Sequence, residues 1–378
     1  MKTRRFASII LALTLMTSLF TACGGTKTST NTSDSPTSKP AATNETKTDN
    51  NTAIKGNLVF AGNGATVEAL FKDEIFKKFN EKYPDVKLTY VAGVATDIVA
   101  KVKAQQGSAQ IDIAFIEGSE QETGRVEGLW EALNPAEIPN MSKISDQFKV
   151  ADNSGVTINY TPMGISYNSK LVKEKNLPIP ASWNDLALPE MKGNITLTEM
   201  SSNFGRSATI MLSYANGGSE ADMATGFEKL KTIATYMPTF AKTAAQIQQN
   251  LQNNTAAYTA WTMARSIVQK DAGVELEFVI PKEGANVVPT VASIVKGSKN
   301  PEAAKAFIDF LLTEDVQSLF ATKLYYNPVI DVALPDDIGK LLNFDKSKIV
   351  NFNYSTISDN KKAWLETFNK EIAPLVGK

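Results

Sequence analysis

Histidine is absent from all 378 positions, and cysteine occurs once, at Cys23. The first absence removes imidazole general bases, Ser-His-Asp and Cys-His arrangements, and the HExxH zinc motif. The second excludes a disulfide framework, a CxxC redox pair and a thiolate zinc site. An excess of charge of either sign is also lacking. Thirty-nine Lys and Arg offset 40 Asp and Glu, a formal net charge of −1 that gives no electrostatic footprint for nucleic acid. No P-loop, GxSxG elbow, SxxK motif or paired-metal spacing occurs, and Gly56 to Gly64 lacks the GxGxxG order of a dinucleotide site. The composition leans away from catalysis and cofactor chemistry and toward a binding task. An enzyme, or a structural or adhesive surface protein, is the rival class.

One uncharged apolar run is present, Phe6 to Phe20, preceded by Lys2, Arg4 and Arg5. A spanning helix needs about 20 apolar residues, so residues 1–22 read as a signal peptide. The run gives way to Thr21-Ala22-Cys23-Gly24-Gly25. From Gly24 to Ala53, 13 of 30 residues are Ser or Thr and three Lys are matched by three acidic residues, with no aromatic. Such a segment cannot bury enough apolar surface to order itself and reads as a flexible leash, 23–53.

From Ile54 onward the patterning is that of a folded α/β body. A strand over 57–61 precedes the turn Gly62-Asn63-Gly64, and Leu70, Phe71, Ile75 and Phe79 return on one face of a helix over 67–82. Val86, Leu88 and Tyr90 alternate with polar residues as a half-buried strand. A helix over 97–106 and a buried strand over 111–116 complete a βαβ pattern and a mostly parallel sheet. Ligands of open α/β sheets collect beyond the carboxyl ends of the strands, here Gly62-Asn63-Gly64 and Glu117-Gly118-Ser119. Further strands are expected over 158–168, 195–197, 255–260, 274–280 and 288–294. Helices are expected over 169–175, from about 201 to 214, and over 221–235, 244–250, 301–312, 314–321 and 361–372.

The residues around Cys23 resemble the lipobox of bacterial lipoproteins, with Phe20 where Leu is usual. That implies a lipidated Cys23 and an extracytoplasmic protein anchored to a bacterial membrane. The body resembles the extracellular solute-binding proteins of ABC importers, in the branch with ferric-ion, polyamine, thiamine and aminophosphonate binders. The resemblance is carried by Phe79 to Val86, Ile111 to Phe115, Met163 to Asn168, Ser182 to Leu186, Lys192 to Ile195, Phe278 to Ala285 and Ser298 to Ile308. It implies a type II periplasmic-binding-protein-like fold with two α/β lobes on a two-strand hinge. The lobes would span 54–163 and 164–290, with 291–378 returning to the first lobe and adding C-terminal helices. The implied task is to close on a solute and deliver it to an ABC permease, with no reason for a dimer.

The candidate ligand groups are the backbone N–H groups of Gly62, Asn63 and Gly64, and the acceptor and hydroxyl of Glu117 and Ser119. Ser201, Ser202, Arg206 and Ser207 at a helix start suit an anion or carboxylate. Tyr258 and Trp261 would hold an amine by cation–π contact, with Arg265 beside them, and Tyr325 and Tyr326 lie at the return to the cleft. The solute class expected is a polyamine or other amine, or an anionic or zwitterionic compound such as a phosphonate. Ferric ion is the alternative, weakened by the absence of His and of a Tyr pair near Tyr258.

Overall fold

The computed structural model describes residues 54–64 and 66–378. The signal segment, Cys23 and the leash lie outside the described residues. The first block runs through β1 (Gly56–Gly62), α1 (Thr66–Leu70), the π-helical Phe71–Ile75, α2 (Phe76–Lys82), β2 (Val86–Ala92), α3 (Ala95–Ala104), β3 (Ile113–Glu117) and α4 (Gly118–Val126). A π turn inserts one extra residue into the helical ladder, so Phe71, Ile75, Phe76 and Phe79 all point inward. They meet Phe60, Phe115, Phe307 and Phe320 in one aromatic-rich core, with Phe60 and Phe71 ring centroids 4.5 Å apart.

A single strand, β4 (Val156–Asn168), carries the chain into the second block. That block contains α5 (Ser169–Glu174), α6 (Asn203–Tyr214), α7 (Ala224–Ala234), α8 (Ala244–Gln252), β5 (Tyr258–Thr262), α9 (Met263–Asp271) and β6 (Leu276–Val279). Its core gathers Met163, Ile165, Trp183, Leu197, Leu212 and Leu230. The chain returns through β7 (Ala285–Ile294), followed by α10 (Pro301–Leu311), α11 (Glu314–Leu324), β8 (Asn327–Pro328), α12 (Asp336–Leu342), β9 (Ile349–Val350) and α13 (Tyr354–Thr367). Phe307 of α10 and Phe320 of α11 join the first core, whereas Ile357 and Trp364 of α13 join the second.

The strands run β2-β1-β3-β7-β4-β5, with β6 and β8 also on β4 and β9 on β7. β1 pairs in parallel with β2 and β3, as the βαβ spacing requires, and β3–β7 and β4–β7 are antiparallel. The early half of β4 (Val156 to Pro162) pairs with β7; the late half (Met163 to Asn168) pairs with β5 and β6. β4 and β7 are therefore the two strands that join the lobes of this type II fold. The expected strand over 195–197 forms only isolated bridges, Ile195 to Tyr258 and Thr198 to Ala241. Helices α4 and α9 were not expected from the sequence pattern.

Among the described residues no helix is long and apolar enough to cross a membrane.

Candidate functional site

β1 and β3 end side by side, and their last residues start the site. Asn63 Nδ2 donates to Glu117 Oε1 at 3.1 Å, and the Tyr90 hydroxyl donates to the Asn63 carbonyl. A Cβ at Gly62 would lie 2.7 Å from the Tyr90 oxygen, so glycine there lets the phenol reach Asn63. Gly64 is exposed and only meets Ala92 at an ordinary distance, 3.5 Å.

From the second lobe, Arg265 of α9 lies over the rings of Phe204 and Trp261, at 5.4 and 5.8 Å from their centroids. From the chain after α11 comes Tyr326. Burial pushes the Glu117 carboxyl up and the negative charge of Glu120 adds to this, while the Asn63 amide and the Arg265 guanidinium pull it down. Burial likewise raises Tyr326, with Arg265 opposing and Glu117 adding. Glu117, Arg265 and Tyr326 therefore sit within one another's fields. Yet among the described residues no ion pair involves either Glu117 or Arg265. An acidic and a basic group thus influence each other's charge while neither belongs to an ion pair among the described residues.

A second cluster adjoins the first. Arg206 of α6 is buried and crosses to α4, where Nη2 donates to Ser119 Oγ at 3.0 Å and to Glu120 Oε1 at 3.2 Å. The Ser119 hydroxyl donates to Glu120 Oε2 at 2.5 Å. Lys361 of α13 donates to Thr123 Oγ1 of α4 at 2.7 Å, and burial pulls this ammonium below the usual lysine range. The two lobes thus touch through charged groups beside the Glu117 site.

The remaining candidates are placed elsewhere. Tyr258 is fully buried in the second core and donates to the Pro178 carbonyl at 2.7 Å; Trp261 is 1% exposed in a cluster with Ile247 and Leu251. All five residues of β5 are buried, so neither ring forms an open wall for an amine, and Trp261 acts only as backing for Arg265. Ser201 is exposed, Ser202 caps α6 by accepting from the Phe204 N–H, and Ser207 accepts from Asn286 Nδ2 at 3.4 Å. Tyr325 ends α11 in the left-handed region and turns its hydroxyl to Asp271, a bond that pushes the phenol up to about 12. The adjacent tyrosines therefore diverge, and only Tyr326 joins Glu117 and Arg265.

Tyr90, Phe204 and Glu120 are site residues that the sequence reading did not single out. Phe204 lay inside the segment chosen for its serines, and Glu120 next to Ser119. Tyr90 had only its place in an alternating strand.

A cavity of about 320 Å³ is lined by Gln121, Phe148, Thr157, Pro289, Phe352 and Tyr354, among others. Pro289 and Val291 alternate with Thr290, the partner of Glu117, along β7, so this cavity opens on the opposite sheet face from Glu117.

Two lobes on a pair of shared strands, meeting through the Arg206–Glu120 ion pair, are the geometry of a clamp. The family profile of bacterial extracellular solute-binding proteins matches residues 74–341, well over half of the chain. The chain is a bacterial extracellular solute-binding protein. Such proteins work outside the cytoplasm, carrying small solutes to the permeases of ABC importers. This solute-binding protein is 28% identical over 257 residues to a gamma-aminobutyric acid-binding protein of Pseudomonas aeruginosa, covering 63% of this chain and 68% of that one. It is 25% identical over 210 residues to a spermidine/putrescine-binding periplasmic protein of Salmonella typhimurium, covering 53% of this chain and 58% of the relative. Its fold is similar to that of a periplasmic binding protein from Actinobacillus pleuropneumoniae with fructose-6-phosphate bound. That match has a TM-score of 0.70 and 24% identity, over 84% of this chain and 99% of the other.

Proposed function

We propose that this solute-binding protein captures a small zwitterionic amine, with the solute's ammonium on Glu117 and its carboxylate on Arg265. What supports this reading is that Glu117, held by the Asn63 amide, and Arg265, lying over the Phe204 and Trp261 rings, belong to no ion pair among the described residues. A solute bearing both charges satisfies both groups at once, and each contact is a charge-assisted hydrogen bond. The similarity to a gamma-aminobutyric acid-binding protein supports this class. A diamine would set one ammonium against Arg265, and a sugar phosphate would set its dianion against Glu117. Ferric ion would find a single phenolate from the Tyr325-Tyr326 pair, since Tyr325 turns to Asp271.

In this reading the lobes are 54–163 and 164–290 with the return 291–378. They close on the solute as a monomer, and Cys23 tethers the protein by a lipid to the membrane where its permease lies. The test is titration calorimetry of the body from residue 54 with gamma-aminobutyric acid, putrescine, spermidine, fructose-6-phosphate and ferric citrate. Gamma-aminobutyric acid should bind at least tenfold more tightly than the diamine. Binding of only ferric ion or the sugar phosphate would overturn the assignment.

A further inference from the structure

The register of the central strands sets three polar side chains in a row. Glu117 of β3 pairs with Thr290 of β7, and Thr290 pairs with Asn159 of β4. Residues directly opposite on neighbouring strands present their side chains on the same face, so Asn159 shares the face of Glu117. Across β4 it pairs with Pro328, two residues after Tyr326. Two positions along the same strand, Thr161 Oγ1 accepts from the Ala264 N–H, the residue before Arg265. Asn159 thus shares a sheet face with Glu117 and borders the segments that carry Tyr326 and Arg265.

This side chain has an unusual energetic position. Asn159 is fully buried, and among the described residues neither its amide nitrogen nor its carbonyl oxygen has a hydrogen-bond partner. An interior amide left unpaired is destabilising, and an apolar side chain of similar size would pack there without that penalty. The bulge between Thr157 and Asn159 shows the strand itself adjusted at this point.

We propose that the Asn159 carboxamide is the specificity-determining floor of the solute site. The inference rests on the zwitterion reading of Glu117 and Arg265. One end of the amide accepts from the solute's ammonium alongside Glu117, and the other donates to the solute's carboxylate alongside Arg265. A carboxamide carries a donor and an acceptor in a fixed geometry, so it matches a molecule with one of each. A diamine leaves the amide N–H groups facing a cation.

The test uses Asn159→Leu and Asn159→Asp in the body from residue 54, with gamma-aminobutyric acid and putrescine as probes. Asn159→Leu should weaken gamma-aminobutyric acid by tenfold or more while the ligand-free melting temperature stays level or rises. Asn159→Asp should move the preference toward putrescine by at least tenfold. A ligand-free Asn159→Leu that melts lower, with the affinity for gamma-aminobutyric acid unchanged, would make the amide a structural group and overturn the proposal. If the parent protein binds neither probe, the zwitterion reading falls. The ligand-free melting comparison then decides on Asn159 by itself, a rise supporting an amide reserved for a solute and a fall refuting it.

Discussion

Arg206 and Glu120 meet at 3.2 Å, and they come from opposite lobes, α6 and α4. Both are buried, and each has a further partner in Ser119. A charged pair of this kind across a hinge exists only when the lobes are together, so it contributes to the closed state and to nothing in the open one. The sequence reading gave Arg206 to the solute; in the structure its guanidinium holds the first lobe.

Arg206→Ala should therefore act on closure. Leaving a buried partner uncompensated costs about 3–5 kcal/mol, part of which is relieved when the lobes part and Glu120 meets water. Small-angle scattering should show a more open ligand-free protein, and affinity should fall by about tenfold or more for every solute alike. A loss confined to one solute class would instead return Arg206 to the ligand shell.

Glu117 carries a pH prediction. Its carboxyl is raised by burial, with Glu120 second. Folding thus favours the neutral form relative to the unfolded chain. Its contribution to stability is complete below the unfolded pKa and is lost as pH rises through the raised folded value. Glu117→Gln should accordingly melt above the parent at neutral and alkaline pH, and the difference should shrink on acidification. Amine binding needs the ionised form, so affinity in the parent should fall on acidification at a higher pH than for an exposed glutamate. Parallel melting curves for the two proteins across the acid range would remove Glu117 from this role.

Gly205 is fixed by what faces it. A Cβ there would stand 2.3 Å from the Glu199 carbonyl oxygen and 2.4 Å from that of Thr198. Neither is a flexible side-chain end, so Gly205→Ala should displace the start of α6, together with Phe204 and Arg206. The expected cost is about 1–3 kcal/mol of overpacking, read by urea denaturation, with weaker solute binding in the same variant.

Asp112 organises the edge of the first lobe away from the site. Its carboxylate accepts from the Val59 N–H at 2.8 Å, the Ser298 hydroxyl at 2.6 Å and the Asn300 amide at 3.3 Å. Asp112→Ala leaves the half-buried Val59 donor unpaired and should destabilise by about 1 kcal/mol. Solute selectivity should stay as it is, which separates this variant from those at Glu117.

The first block was well announced by its sequence. The strand over 57–61 is β1, the alternation of Val86, Leu88 and Tyr90 is β2, and the parallel pairing follows the βαβ spacing. These signals are periodic apolar residues, and periodicity is local. The helix α4 has none to offer. Ser119, Glu120, Gln121 and Glu122 are buried although polar, because they face α6, the hinge strands and a neighbouring ion pair rather than an apolar core. Tyr258 and Trp261 illustrate a second limit. An apolar strand shows the same pattern whether its second face is open to a ligand or covered, and the cover here comes from Ile195, far back in the chain, and from Ile247 and Leu251 of the preceding helix. Of the candidate site, Asn63, Glu117, Arg265 and Tyr326 were legible as polar or aromatic residues at the ends of elements. Their convergence depends on β4 and β7 bringing the lobes together, which no short window contains.

The thirteen residues of β4 supply backbone partners to both halves of the molecule. Neither half can be excised as an autonomous fragment without amputating a strand from the other. A protease nick or circular permutation should be tolerated in the surface turns around Gly193 or Gly273, where added atoms meet nothing. The same cut between Pro162 and Met163 would part the segment paired with β7 from the one paired with β5 and β6, breaking one of the two strands that join the lobes.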